Sequence, residues 1–309
     1  MTDSRLPYAT GTAGALLIAF SAVLVRLADV APATAAVFRC FYALPVLALL
    51  TAREARRYGP RSRRDRGVAF AAGVFFAADL TFWHYAIDYV GAGLATVLAN
   101  SQVVLVGLIA WLVLGERPRP RVLVAVPVVL VGVTLISGVI GEGAYGQDPL
   151  LGVVFGLVTA LAYAGFILTL RAGNTHPRRP AGPLFDATLS AAACAALAGL
   201  LLGDIQFAPS WPAHGWLALL ALSSQVLAWL LISISLPRLP AVVTSMLLML
   251  QPVGAVALGA VLLAEAPSPV QLAGVGAVLA GIIVAASGRR PAQPPAAPVD
   301  APPPGHSPG

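Results

Sequence analysis

Apolar residues run along this chain in long blocks, and the polar and turn-forming residues collect between them. The blocks span 8–27, 33–51, 67–90, 91–114, 122–139, 150–170, 182–202, 215–236, 241–263 and 270–287. Each is about 18–24 residues long, which suits a helix crossing about 30 Å of hydrocarbon at 1.5 Å per residue. Strict alternation over about ten residues, the mark of a barrel strand, is absent from these blocks, so helices are predicted throughout. Gly, Pro and Arg bound most of them. The third and fourth are separated only by the segment holding Asp88, Gly91 and Gly93. The first block follows Arg5 and could be mistaken for a secretory leader. Its apolar stretch is about 20 residues long and nine further blocks follow, so an uncleaved first helix is expected.

Composition narrows the solvent. Of 309 residues, 58% are hydrophobic and 10% charged, and the mean hydropathy is +0.85. A soluble domain carries about 25% charged residues, so a soluble enzyme is excluded. Ten spans of about 20 residues use about 200 positions. The remainder suits termini and short connections, with no room for a sizeable aqueous domain. The fold class expected is an all-α integral membrane protein.

Charge then gives the topology. All 19 basic residues are Arg. With the N-terminus inside and loops alternating, 17 of the 19 fall on inside segments. The remaining two, Arg26 and Arg39, lie within or at the ends of helices. The positive-inside rule therefore places both termini in the cytoplasm and requires an even number of spans. The cluster Arg53–Arg66 invites a nucleic-acid or anionic-lipid reading; the plainer reading is a topology determinant on a short loop, and no nucleic-acid partner is expected. The absence of Lys excludes a Walker A phosphate site and Schiff-base chemistry, so no ATP-driven activity by this chain alone is expected. Cys40 and Cys194 fall in apolar blocks and read as small buried hydrophobes. No HExxH occurs and the four His (84, 176, 214, 306) are scattered, so neither a metal nor another cofactor is expected. The tail from Pro291 to Gly309 holds eight prolines and reads as disordered.

The chain also repeats itself. Residues 94–118, LATVLANSQVVLVGLIAWLVLGERP, align with 243–267, VTSMLLMLQPVGAVALGAVLLAEAP, at an offset of 149. Thr96 meets Ser245, Gln102 meets Gln251, Glu116 meets Glu265, Pro118 meets Pro267, and in the next helices Gly132 meets Gly281. Five helices per copy is an odd number, so the copies would lie in opposite orientations. Inverted repeats of this kind carry a substrate site near the bilayer midplane. Val103 stands where the second copy has Pro252, which predicts a straighter helix in the first copy.

These segments resemble the EamA domain of the drug/metabolite transporter superfamily, over about residues 8–288. WHYAIDYVGAGLATVLANSQ is similar to that family's junction between its third and fourth helices. PRLPAVVTSMLLMLQPVGAVALGAVLLAE is similar to the counterpart in the second copy, and FRCFYALP to the second helix. The resemblance implies ten helices as two inverted five-helix repeats, at 8–140 and 150–288. A short cytoplasmic N-terminus (1–7) and a Pro-rich cytoplasmic tail (289–309) flank them. It also implies residence in a bacterial cytoplasmic membrane and export or exchange of small molecules.

With most Arg assigned to topology, few charges remain to be explained. Asp79 lies 12 residues into its span, about 18 Å deep. An intramembrane carboxylate is costly, and is by default a functional candidate. It reads as a proton-coupling or cation-binding group, or as a structural pair with Arg39, which could instead face a cavity and take a substrate carboxylate. Trp83 shares the face of Asp79; His84 and Tyr85 follow on other faces, and the whole group also fits an interfacial aromatic belt. Gln102 and Gln251 are repeat equivalents that read as cavity-lining or as interhelical hydrogen-bonding glue. Asn100, Tyr163, Gln225 and Trp229 are candidates of the same kind. Glu116 and Glu265, at helix ends, read as caps or interfacial pairs, and Asp186 has no assignable partner. The function expected is secondary transport by alternating access, with lipid, a small-molecule substrate and protons as partners. A membrane-embedded enzyme or lipid-handling protein is the competing class, and would need polar catalytic groups converging at one depth.

Overall fold

The computed structural model describes residues 6–105, 120–173, 179–235 and 250–286. Ten helical elements lie within them, and no strand occurs among the described residues. We number them α1 (Leu6–Ala28), α2 (Pro32–Tyr58), α3 (Arg63–Val90), α4 (Ala92–Asn100, helical again over 102–105), α5 (Pro120–Ile136), α6 (Pro149–Gly173) and α7 (Ala181–Leu202). The eighth, α8, runs through Ala213–Leu220, a π-helical stretch Ala221–Ala228, and Trp229–Ser235; α9 is Leu250–Leu262 and α10 Pro269–Ala286. Seven of these are long and apolar enough to cross a membrane, and α4, α5 and α9 are shorter apolar helices. Leu, Val and Phe side chains such as Leu49, Val74, Leu197, Leu201 and Val261 remain exposed on the outer faces. That is how a bundle looks when lipid is its solvent. Glu116, Ser245, the Arg at 5, 117, 119, 178, 238, 289 and 290, and the tail 289–309 lie outside the described residues.

Local chemistry sets the boundaries. Ser62 caps α3, its hydroxyl accepting from Asp65 N at 3.0 Å. Gly91, at φ +89, ends α3 and opens α4, so the chain turns there with no intervening loop. The expected straighter helix of the first copy compares segments that run into 106–119 and 236–249, outside the described residues; within the described part, α4 is interrupted at Ser101 although Val103 is not a proline. The cause is competition for backbone carbonyls. Thr96 Oγ1 donates to Ala92 O, Asn100 Nδ2 to Thr96 O, and Ser101 Oγ to Leu98 O at 2.6 Å, while Ser101 N turns to Leu98 O as well.

Packing between helices follows a two-fold pattern. α3 packs on α6 and α7 as α8 packs on α1 and α2; α4 packs on α6 as α9 packs on α1. The pairs α2–α7, α4–α9 and α5–α10 each map onto themselves when helix n is exchanged with helix n+5. The correspondence reaches single residues. A Cβ at Gly132 would lie 2.7 Å from both Gly274 O and Val278 Cγ2. A Cβ at Gly281 would press on Val129 and lie 3.3 Å from Ala125 O. Adding 149 to Ala125, Val129 and Gly132 gives Gly274, Val278 and Gly281. Small residues let α5 and α10 approach closely, in the manner usual where lipid offers no hydrophobic drive for association.

Candidate functional site

The interior polar groups gather where α1, α2, α3, α4, α6, α8 and α9 meet. Arg39 from α2 is 4% exposed and Asp79 from α3 is 8% exposed. Asp79 is 11 residues from the end of α3, about 16 Å along the axis. Both line one cavity of about 60 Å³, together with Ile18, Ser21, Phe76, Leu80, Trp83, Thr96, Ala99, Asn100, Tyr163, Trp229 and Gln251. A space of this size holds a few waters.

Arg39 and Asp79 form no direct ion pair. The ion pairs among the described residues are Arg26–Asp88, Arg61–Asp186 and Arg66–Asp186. Arg39 is held instead by uncharged acceptors on α8: Nε donates to Gln225 Oε1 at 3.2 Å and Nη2 to Ser224 Oγ at 3.1 Å. Gln225 is fixed in turn, its Nε2 donating to Thr188 Oγ1 at 3.1 Å. Ser224 and Gln225 are sequence neighbours, and in a regular α-helix they would point about 100° apart. The π-helical stretch Ala221–Ala228 narrows that angle and brings both side chains to one guanidinium. The guanidinium carbon also lies 5.7 Å from the Trp83 ring centroid, within reach of a cation–π contact. Arg39 is thus oriented and desolvated by uncharged partners, and Asp79 shares its cavity as the second ionisable group.

An aromatic cluster backs the site. Phe76 stacks on Phe166 at 4.3 Å between centroids, and Trp229 stands edge-on to Phe76, Tyr163 and Phe166. The residues expected from sequence therefore divide. Arg39, Asp79, Trp83, Asn100, Tyr163, Trp229 and Gln251 face one cavity, and Gln225 orients Arg39 from behind. His84 and Tyr85 do not join them. They line a separate pocket of about 420 Å³ near the other end of α3, with Arg26, Asp29, Asp88 and Tyr89. Tyr85 donates to Asp204 there at 2.6 Å. Gln102 is buried and is not part of the cavity wall. Sequence reasoning missed Ser21, Ser224 and Thr188. The Ser-Ser-Gln run inside an apolar span was the available signal for Ser224. Nothing in sequence announces a hydroxyl contact between helices far apart in the chain.

Two carboxylates bind helix N-termini from across the bundle. Glu265, 5% exposed, accepts from Ala92 N at 2.6 Å and Gly93 N at 3.0 Å, capping α4 from the α9–α10 connection. Burial, and after it the nearby Glu265 carboxylate, push the loop phenol of Tyr145 above its ordinary pKa. Glu54 accepts from Ala181 N and Gly182 N, both at 2.9 Å, capping α7 from the end of α2. Beside this second cap, Arg61 donates to Asp186 at 2.6 Å and to Asp65 O and Gly173 O, and Arg179 donates to Gly59 O. Asp186 thus acquires the partner that sequence could not assign. These contacts close the Arg-rich end of the bundle with four helices, α2, α3, α6 and α7, tied together. Among the described residues no cluster of three or more His, Cys, Asp or Glu side chains suited to a metal ion occurs.

Comparison with known proteins agrees with this architecture. The model of the EamA-like transporter family matches the chain twice, over residues 6–138 and 150–287. A search of curated protein sequences returns no match. A solved structure described only as "Crystal structure of protein" is similar in fold: TM-score 0.59 and 18% identity, covering 90% of this chain and 96% of that one.

Proposed function

Because this chain belongs to the EamA-like transporter family, both of its halves matching the family model, it is a multi-pass membrane transporter, and we propose that it works as a secondary exporter. The observation that carries this reading is the cavity between the buried side chains Arg39 and Asp79, lined by helices from both halves and with no direct ion pair between the two groups. Once the helices part to widen this space of about 60 Å³, such a pair can accept opposite charges on a small metabolite, amino acid or drug, with Trp83, Tyr163 and Trp229 offering stacking faces. Asp79 would also take and release a proton during the cycle, coupling movement to a pH gradient.

In this reading all ten helices cross the cytoplasmic membrane of a bacterium. Repeats at 8–140 and 150–288 lie in opposite orientations, and both termini, with the tail 289–309, are cytoplasmic. The reciprocal contacts of α5 and α10 support the inversion. Gly132 meets Gly274 while Gly281 meets Ala125, so the two helices run antiparallel and exchange under a two-fold. An axis along the membrane normal would leave them parallel; an axis in the membrane plane makes them antiparallel. Alternating access then follows from rocking one half on the other around Arg39 and Asp79.

The test is flux of candidate metabolites in proteoliposomes, with and without an imposed pH gradient. Gradient-driven flux is expected in the wild type, and Asp79→Asn should abolish the response to the gradient while keeping the protein folded. Unchanged gradient-driven flux in Asp79→Asn removes the coupling role. Absence of any substrate-dependent flux across broad metabolite pools removes the transport reading for this cavity.

A further inference from the structure

At the start of α3, Arg63, Arg66, Gly67 and Phe70 line a shallow groove of about 320 Å³ on the outside of the bundle, with Asp186 at its floor. Two neighbouring basic residues are already engaged. Arg61 is committed to Asp186 at 2.6 Å and to two backbone carbonyls, and Arg179 to Gly59 O. Arg66 is held more loosely: it pairs with the same Asp186 oxygen at 3.7 Å, and its side chain is 63% exposed. Arg63 is exposed and makes no ion pair with a described residue. Two cationic side chains one turn apart thus overlook a groove whose one acidic group is neutralised from inside.

The same face of α3 continues differently. Residues 63, 67, 70 and 74 recur at helical spacing on one stripe. Below the arginines comes Gly67, where an added Cβ would meet nothing within 4 Å, and then exposed Phe70 and Val74. The stripe therefore passes from paired positive charge, through a notch without a side chain, to apolar surface facing lipid. That is the order of groups along a phospholipid, from phosphate through glycerol to acyl chain. Guanidinium pairs at the end of a membrane helix are suited to phosphate oxygens.

We propose that this groove is a binding site for an anionic phospholipid, its phosphate held between Arg63 and Arg66 and its acyl chains lying along Phe70 and Val74. The site is independent of the transported substrate. Because Arg66 also approaches Asp186, an occupied groove draws Arg66 outward and leaves Asp186 to Arg61 alone.

The experiment uses the full-length protein in neutral detergent, titrated with short-chain phosphatidylglycerol, short-chain phosphatidylcholine or glycerol 3-phosphate, and followed by thermal unfolding. Saturating phosphatidylglycerol should raise the midpoint by about 5–10 °C, and the other two should not. Arg63→Gln/Arg66→Gln should lose at least half of that shift. Gly67→Leu, which keeps both arginines and adds a side chain where a Cβ meets nothing within 4 Å, should lose it too, and serves if the double variant does not fold. An undiminished shift in Gly67→Leu or in the double variant overturns the proposal. So does an equal shift with phosphatidylcholine, which assigns the effect to acyl chains, or with glycerol 3-phosphate, which assigns it to a free anion.

Discussion

Replacing Glu265 should destabilise a helix to which it is not covalently close. The first amides of α4 have no partner within their own helix, as at every helix start, and here they are buried. Glu265 supplies one oxygen to each of two of them, Ala92 N at 2.6 Å and Gly93 N at 3.0 Å. Its charge also opposes the positive end of the helix dipole. The pocket is built around the carboxylate: a Cβ at Gly259 would collide with it, and one at Gly93 would lie 3.3 Å from Oε2. Glu265→Leu leaves two buried donors unsatisfied at about 1–3 kcal/mol each, about 2–6 kcal/mol together. Glu265→Gln keeps one acceptor and turns an amide NH₂ toward the other donor, costing about 1–3 kcal/mol. At roughly 2–4 °C per kcal/mol, the midpoint of thermal unfolding should fall by several degrees in Glu265→Gln and by about twice as much in Glu265→Leu. The assay is tryptophan fluorescence of the purified protein on heating, with Glu142→Leu, at an exposed loop carboxylate, as a control that should not move. A Glu265→Leu protein within a degree of the wild type would show that water replaces the carboxylate at this helix end, and the capping argument would fail.

Two further expectations follow from other contacts. Gly132→Ala places a methyl 2.7 Å from Gly274 O on α10, so α5 and α10 must separate; a loss of about 1–3 kcal/mol is expected. Gly276→Ala on α10, where a Cβ meets nothing within 4 Å, should leave the midpoint unchanged or raise it slightly in the same unfolding assay. Arg61 and Asp186 have side chains only 10% and 7% exposed, so removing either partner should cost about 3 kcal/mol by stranding the other. In a double-mutant cycle, Arg61→Gln with Asp186→Asn should cost less than the two single changes added, and strict additivity would mean that the pair does not couple.

Much of the fold was readable because lipid imposes a simple rule. A spanning helix must be apolar for its whole length, so Gly, Pro and Arg mark the breaks; eight of the ten blocks coincide closely with helical elements, and 91–114 and 241–263 run partly outside the described residues. The site was only partly readable. Depth alone marked Asp79 and Arg39, since a charge in hydrocarbon demands an explanation wherever it points. Helical spacing put Trp83 with Asp79. The same spacing could not say that His84, one residue on, belongs to a different pocket at another level of the bundle. The break at Ser101 escaped because proline is the familiar interrupter, whereas here three hydroxyl and amide side chains divert the carbonyls.

The sequence by itself determined the solvent, the helical periodicity, the 149-residue repeat and the few charges too deep to ignore. Each of these is written in local composition and spacing. Only the tertiary structure decided which partners those charges take. Arg39 lies 185 and 186 residues from the Ser224 and Gln225 acceptors that orient it, and Glu265 lies 172 and 173 residues from the amides it caps. Such contacts depend on how helices cross and on a local π-helical turn in α8. Periodicity along one helix says nothing about either, because the energy that selects them comes from close packing between helices brought together in space.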